Sequence, residues 1–134
     1  MEQWGPQALV TMDEPLFWDW VWKTKDDLVI VEEAAATIRR ERDLVPLFTR
    51  LRHLRHKLIV IGHDGTDLLP VMRRQFDNIF LFVQSPAAVE IWKQDLPQCK
   101  GLDEAANLNQ YEFLWCALFK TAVKNRLVLN PQVR

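Results

Sequence analysis

With 134 residues, the chain is long enough for one domain with a real core and few spare parts. Its apolar fraction of 49% and charged fraction of 26% are those of a globular domain, and a formal net charge of -1 leaves no global basic field, so any nucleic-acid contact has to be local. The longest apolar runs are about six residues, far short of the roughly 20 that span a bilayer. The N-terminus Met1-Glu2-Gln3-Trp4 lacks the basic-then-apolar pattern of a signal peptide, so the cytoplasm is the expected compartment. Cys99 and Cys116 have no metal-ligand spacing and are expected as reduced thiols.

In chain order, Gln7 to Met12 reads as a short first strand, broken by Asp13-Glu14-Pro15. The aromatic run from Phe17 to Trp22 alternates like a strand, yet its flanks also suit a short helix. Its tryptophans either cap the edge of the core or form a partner surface or base-stacking platform. Leu28-Val29-Ile30-Val31 is a β-branched apolar run that suits a strand covered on both faces, and it runs straight into Glu32-Glu33.

Residues 39–57 read as mostly helical, with Asp43 as a candidate cap and Pro46 in the first turn. Leu44, Leu47, Phe48, Leu51 and Leu54 form its core stripe, while Arg50, Arg52, Arg55, His56 and Lys57 make a basic face, solvated or phosphate-contacting. His53 and His56 are expected in solvent beside these arginines. Leu58 to Gly62 is a second buried strand and ends at His63-Asp64-Gly65. Two such strands joined by a helix make a βαβ unit, whose handedness brings both polar ends to one sheet edge, so Glu32, Glu33 and His63 are expected to converge.

A short helix or turn follows over 66–76, then a strand from Ile79 to Val83. Ser85-Pro86 caps a helix through Trp92. Asp103 is expected to open a long C-terminal helix, 103–125, and Leu127 to Leu129 a last strand. The fold class expected from this order is α/β in three layers, a mostly parallel sheet flanked by helices, as one domain over 1–134.

The apolar strand ending in two acids, the arginine-rich helix, Arg55-His56-Lys57 feeding a strand with a polar end, Leu69-Pro70-Val71-Met72-Arg73, and the strand at Ile79 together resemble the back half of a P-loop ATPase of the additional-strand type. The HerA/FtsK-like DNA-pumping ATPases and the viral DNA-packaging ATPases are the nearest group, over residues 28–85. The resemblance implies a Walker B strand at Leu28–Glu33, with Glu32 holding magnesium and Glu33 polarising the attacking water. It implies a γ-phosphate sensor at His63 and an arginine finger, acting across a ring of subunits, at Arg73 or Arg74. Glu32 stands where the family usually has aspartate, and His63 where it has glutamine, asparagine or threonine.

The family's phosphate loop is missing. The glycines are Gly5, Gly62, Gly65 and Gly101, and no Gly-x-x-x-x-Gly-Lys-Ser/Thr occurs. ATP and Mg²⁺ are therefore expected only if an upstream loop completes the site, and the chain alone is expected to be inactive. Its sheet would then need another strand, from Gln7–Met12, from Leu127–Leu129 or from another subunit. The implied partners are further copies in a ring and DNA, with no membrane. Two other readings stay open: a non-enzymatic α/β interaction domain binding a protein or nucleic acid, and a small metal enzyme built on Glu32, Glu33, His63 and Asp64.

Overall fold

The computed structural model describes residues 8–32, 41–65, 68–117 and 120–129, with the backbone alone for 41–45. Glu33, the segment 34–40, Thr66, Asp67, Leu118, Phe119 and the side chains of Asp43 and Leu44 lie outside the described residues. The contacts divide the chain into two compact units, Met1–Gly62 and His63–Arg134. Among the described residues no helix is long and apolar enough to cross a membrane.

Among its described residues the first unit begins without a strand. Residues 8–12 form no regular element, and Met12 is fully open to solvent, because Asp13 ends that stretch by capping a helix. Helix α1, Glu14–Lys23, starts with the Asp13 carboxylate accepting the Leu16 N–H at 3.1 Å and with proline in its first turn. The tryptophan alternation is thus helical. Trp18 and Trp22, four apart, stack with ring centroids at 5.4 Å, while Trp20 falls on the other side and is exposed. Phe17, Trp18 and Trp22 pack against the core, and the Arg50 guanidinium sits 4.3 Å above the Trp22 ring. These rings cap the core edge.

Strand β1, Leu28–Glu32, leads through residues 33–40 to helix α2, Glu41–His53, and then to strand β2, Lys57–Ile61. β1 and β2 pair in parallel, from Leu28 opposite Lys57 to Glu32 opposite Ile61, so the expected βαβ order is present. Pro46 lies inside α2 rather than in its first turn. Val21, Val29, Val31 and Leu51 make the core of this unit. The strands are less covered than the apolar runs suggested. Val29 and Val31 are buried, whereas Leu28, Ile59 and Ile61 are exposed.

His56, expected in solvent, is 9% exposed and ties the two strand entries together. Its Nδ1 accepts the Asp27 N–H at 3.1 Å, and its Nε2–H donates to the Val21 carbonyl at 2.9 Å. Beside it the Asp26 N–H donates to the Leu54 carbonyl and the Lys57 N–H to the Asp27 carbonyl. The ring is pulled inward because it serves a part-buried donor and a buried acceptor at once. His56→Ala strands both groups and is expected to cost about 1–3 kcal/mol, read as a lower urea midpoint at unchanged slope. A midpoint equal to wild type would show that water serves both groups equally well.

The second unit contains helix α3, Pro70–Arg73, strand β3, Ile79–Leu81, helix α4, Pro86–Asp95, a 3-10 helix Leu102–Asn107, and strands β4, Glu112–Cys116, and β5, Val123–Arg126. Ser85 caps α4 by accepting the Ala88 N–H at 3.2 Å, with Pro86 at the first position, as its sequence predicts. The sheet order is β3-β4-β5, antiparallel throughout. Met72, Leu81, Val89, Trp92, Leu102, Leu114 and Cys116 are among its buried residues.

Two expectations are corrected here. The described strands form one parallel pair and one antiparallel triplet, so the sheets are mixed and the predicted mostly parallel sheet is not found. The long helix over 103–125 is a 3-10 turn followed by two strands. Its apolar residues mimic helical spacing, but the run from Phe113 to Cys116 alternates: Leu114 and Cys116 face the core while Trp115 faces out. Tyr111, at φ +68°, turns the chain into β4. Strand β5 ends at Arg126, so Leu127–Leu129 is not a strand.

Candidate functional site

The parallel pairing of β1 and β2 is in register to the last residue, so their carboxyl ends lie side by side. Glu32 closes β1 as an exposed side chain level with Ile61. This is the edge at which parallel α/β sheets carry their sites. Glu33 follows Glu32 directly and lies outside the described residues. His63 comes two residues after the end of β2 and is exposed, and Asp64 beside it is half-buried. Among the described residues no three His, Cys, Asp or Glu side chains gather as ligands for a metal.

Gly65 has a packing reason. A Cβ on it would stand 2.6 Å from Trp92 Nε1 and 2.9 Å from Cε2, and the indole, itself buried in α4, has little room to withdraw. The indole Nε1–H donates to Gln84 Oε1 at 3.4 Å. The loop after His63 is thus seated against α4 inside the second unit.

Arg73, the last residue of α3, bonds to that loop. It is 7% exposed. Its Nε–H donates to the Asp95 carboxylate, and its Nη1 donates to the carbonyls of Gly65, at 3.0 Å, and Leu68. Asp95, at the end of α4, is also buried. The guanidinium therefore ties the Gly65 and Leu68 carbonyls to Asp95 of α4 and is committed inside the second unit. Arg74 is different: its side chain is largely in solvent, with Nε 3.5 Å from Asp95 Oδ1. Of the two arginines named from the sequence, Arg74 is the exposed one. The partner, Asp95, carries no local sequence signal, since an ion pair 22 residues apart leaves no period to read.

The chemistry available at the β1–β2 edge is that of a carboxylate. Glu32 offers hard oxygen to a divalent ion, which suits magnesium held by one or two carboxylates plus phosphate oxygens. The sequence holds no Gly-x-x-x-x-Gly-Lys-Ser/Thr pattern of the kind that cradles phosphate.

In sequence, no family model matches the chain and no curated protein matches it. In structure, it is similar to the genome packaging NTPase B204 from Sulfolobus turreted icosahedral virus 2. Against the complex with AMPPCP the TM-score is 0.72 at 19% identity, covering 92% of this chain and 69% of that chain. Against the complex with AMP the TM-score is 0.67 at 19% identity, covering 92% of this chain and 65% of that one. B204, the DNA-packaging ATPase from Sulfolobus turreted icosahedral virus, matches with a TM-score of 0.68 at 16% identity, over 90% of this chain and 66% of that one. The chain thus has a fold like that of a viral packaging ATPase and spans about two thirds of the length of these structures.

Proposed function

We propose that this chain supplies the Walker B and sensor half of a P-loop ATPase related to DNA translocation or packaging, and that it does not hydrolyse ATP by itself. One observation carries the reading: two apolar parallel strands, in register to their carboxyl ends, the first closing on Glu32 with Glu33 next and the second followed within two residues by His63. The packaging-ATPase-like fold supports it.

In this reading the terminal phosphoryl group of ATP is the electrophile, and magnesium, where a phosphate loop from elsewhere completed the site, would neutralise charge on its oxygens. Glu32 would hold the metal through its carboxylate at the end of β1. Glu33 orients and polarises the attacking water, accepting its proton. His63 reads the terminal phosphate through an imidazole N–H. Arg74, rather than the stapled Arg73, is the side chain open to reach a neighbouring copy in a ring on DNA. The test is Mg²⁺-dependent phosphate release by the 134-residue chain. The expected result is none. Turnover that disappears in Glu33→Gln would overturn the claim that the chain is inactive alone.

A second reading, an interaction domain without catalysis, is favoured by the outer face of the antiparallel sheet. Phe80 and Trp115, cross-strand partners, are 57% and 45% exposed and lie nearly parallel, at 15°, with centroids 6.3 Å apart. Phe82 and Phe113 adjoin them on the same face. Exposed aromatic rings on a sheet can stack bases or anchor a protein. If they stack bases, Phe80→Ala weakens binding of a fluorescent single-stranded oligonucleotide about tenfold, on the scale of about 1–3 kcal/mol per stacked base. Binding unchanged by that substitution would remove nucleic acid from this face.

A further inference from the structure

We propose that the outer face of the antiparallel sheet pairs with the same face of a second copy of this chain, in a two-fold dimer. The inference rests on the reading of this face as a contact surface and not on the ATPase reading.

The pairing register sorts the side chains of the three strands by face. Phe80 stands opposite Trp115, Trp115 opposite Val123, and Phe113 opposite Asn125, so these five share the outer side. Phe82, just past β3, joins them through its ring contact with Phe113. The charged residues of β4 and β5 take the other alternation: Glu112 is opposite Arg126, and Lys124 is opposite the buried Leu114. Among the described strand residues the outer side thus carries no charge. Bases stacked on these rings would bring phosphates to a side without cations, whereas single-strand binders line the backbone's path with basic groups. An uncharged aromatic face has the composition of an interface core, and its match is another face of the same kind. The chain's own copy supplies one, and a formal net charge of -1 sets almost no repulsion between two copies.

The face is also ready to lose water. Phe80, Phe82 and Phe113 have no polar side-chain atom, and the indole N–H of Trp115 already donates to Asn78 Oδ1 at 2.9 Å. Burying that ring therefore strands no donor. Phe80 rests against Phe113 at 5.8 Å and against Trp115 at 6.3 Å, so the rings have little freedom left to lose. Phe80, Phe82, Trp115 and Val123 each expose about half of their surface. At about 150–250 Å² per aromatic side chain, this is roughly 400 Å² of apolar area. A small dimer interface buries about 600 Å² per partner, about two thirds of it apolar. The face therefore supplies the apolar core of a small interface, and the dimer is expected to be reversible, with a micromolar dissociation constant. Such a contact closes at two copies and differs from the head-to-tail contact that a ring needs.

Sedimentation equilibrium of the full 134-residue chain, with reductant present, reads the assembly at micromolar to millimolar loading. The expected result is a reversible monomer–dimer equilibrium with nothing larger. Phe80→Glu and Phe82→Glu each put a charge into the contact and raise the dissociation constant at least about tenfold. Their urea midpoints stay near wild type, because both positions face solvent in the monomer. Lys124→Glu changes the charge by more, but on the other side of the sheet, and leaves the constant unchanged. A chain that stays monomeric at every loading overturns the proposal, and binding of a single-stranded oligonucleotide by that monomer would give the face to nucleic acid instead. A dimer that tolerates both glutamates, or assemblies beyond two copies, would overturn it as well.

Discussion

Asp95→Ala is expected to destabilise the His63–Arg134 unit by about 3–5 kcal/mol, because it leaves the Arg73 guanidinium buried without its counter-charge. Two carbonyls still face Arg73, and they satisfy hydrogen bonds without neutralising a positive charge. The loss matters beyond stability. The Gly65 and Leu68 carbonyls are held by the same guanidinium, so the loop that follows His63 loses its staple. Replacing both partners together, with Arg73→Met and Asp95→Leu, removes the two desolvation penalties along with the attraction and is expected to cost far less than Asp95→Ala. Urea unfolding of the single and double variants reads the difference. An Asp95→Ala protein as stable as wild type would mean that Arg73 does not depend on Asp95 and is available to reach outward.

The second large effect is expected in Met1–Gly62. Leu51→Ala removes a fully packed side chain from the small cluster it forms with Val21, Val29 and Val31 and is expected to cost about 2–5 kcal/mol. Val29 and Val31 belong to the strand that ends in Glu32, so the same cavity loosens the support of that carboxylate. Ile61→Ala is the contrast. Ile61 has a comparable side chain at the end of β2, but 47% of its surface is exposed, so the loss should stay within about 0.5 kcal/mol. The far-UV circular dichroism midpoint in urea distinguishes them. Equal small losses at Leu51 and Ile61 would show that the four-residue cluster does not hold this unit.

These two sites also show how far the sequence could be read. The strand at Leu28–Val31, the acid at its end and the helix bearing Leu51 are local signals of composition and period, and β1, α2 and β2 occur where they were expected. The Ser85-Pro86 helix start is similarly local, since a cap needs no distant partner. What failed was pairing. Ile79–Leu81 has the composition of a buried parallel strand, yet its neighbour is β4, running the other way. That choice lies in residues 112–116, where aromatic and aliphatic residues spaced three and four apart imitate a helix while alternating in and out as a strand. His56 is expected in solvent and Arg73 as a finger reaching another subunit, but each is buried by partners 22 to 35 residues away, His56 by the Val21 carbonyl and Arg73 by Asp95. At the candidate site, Glu32 closes β1 where the sequence put an acid, His63 comes two residues after β2, and of the two arginines Arg74 is the exposed one.

The central claim is that an acid-bearing strand pair of ATPase type is present without the loop that grips phosphate. Isothermal titration of the chain with ATP and with ADP, each with Mg²⁺, tests it most directly. The account predicts no binding heat for either nucleotide, since the sequence holds no Gly-x-x-x-x-Gly-Lys-Ser/Thr loop to cradle the phosphates. Micromolar binding would contradict it, by showing that another segment of this chain cradles phosphate.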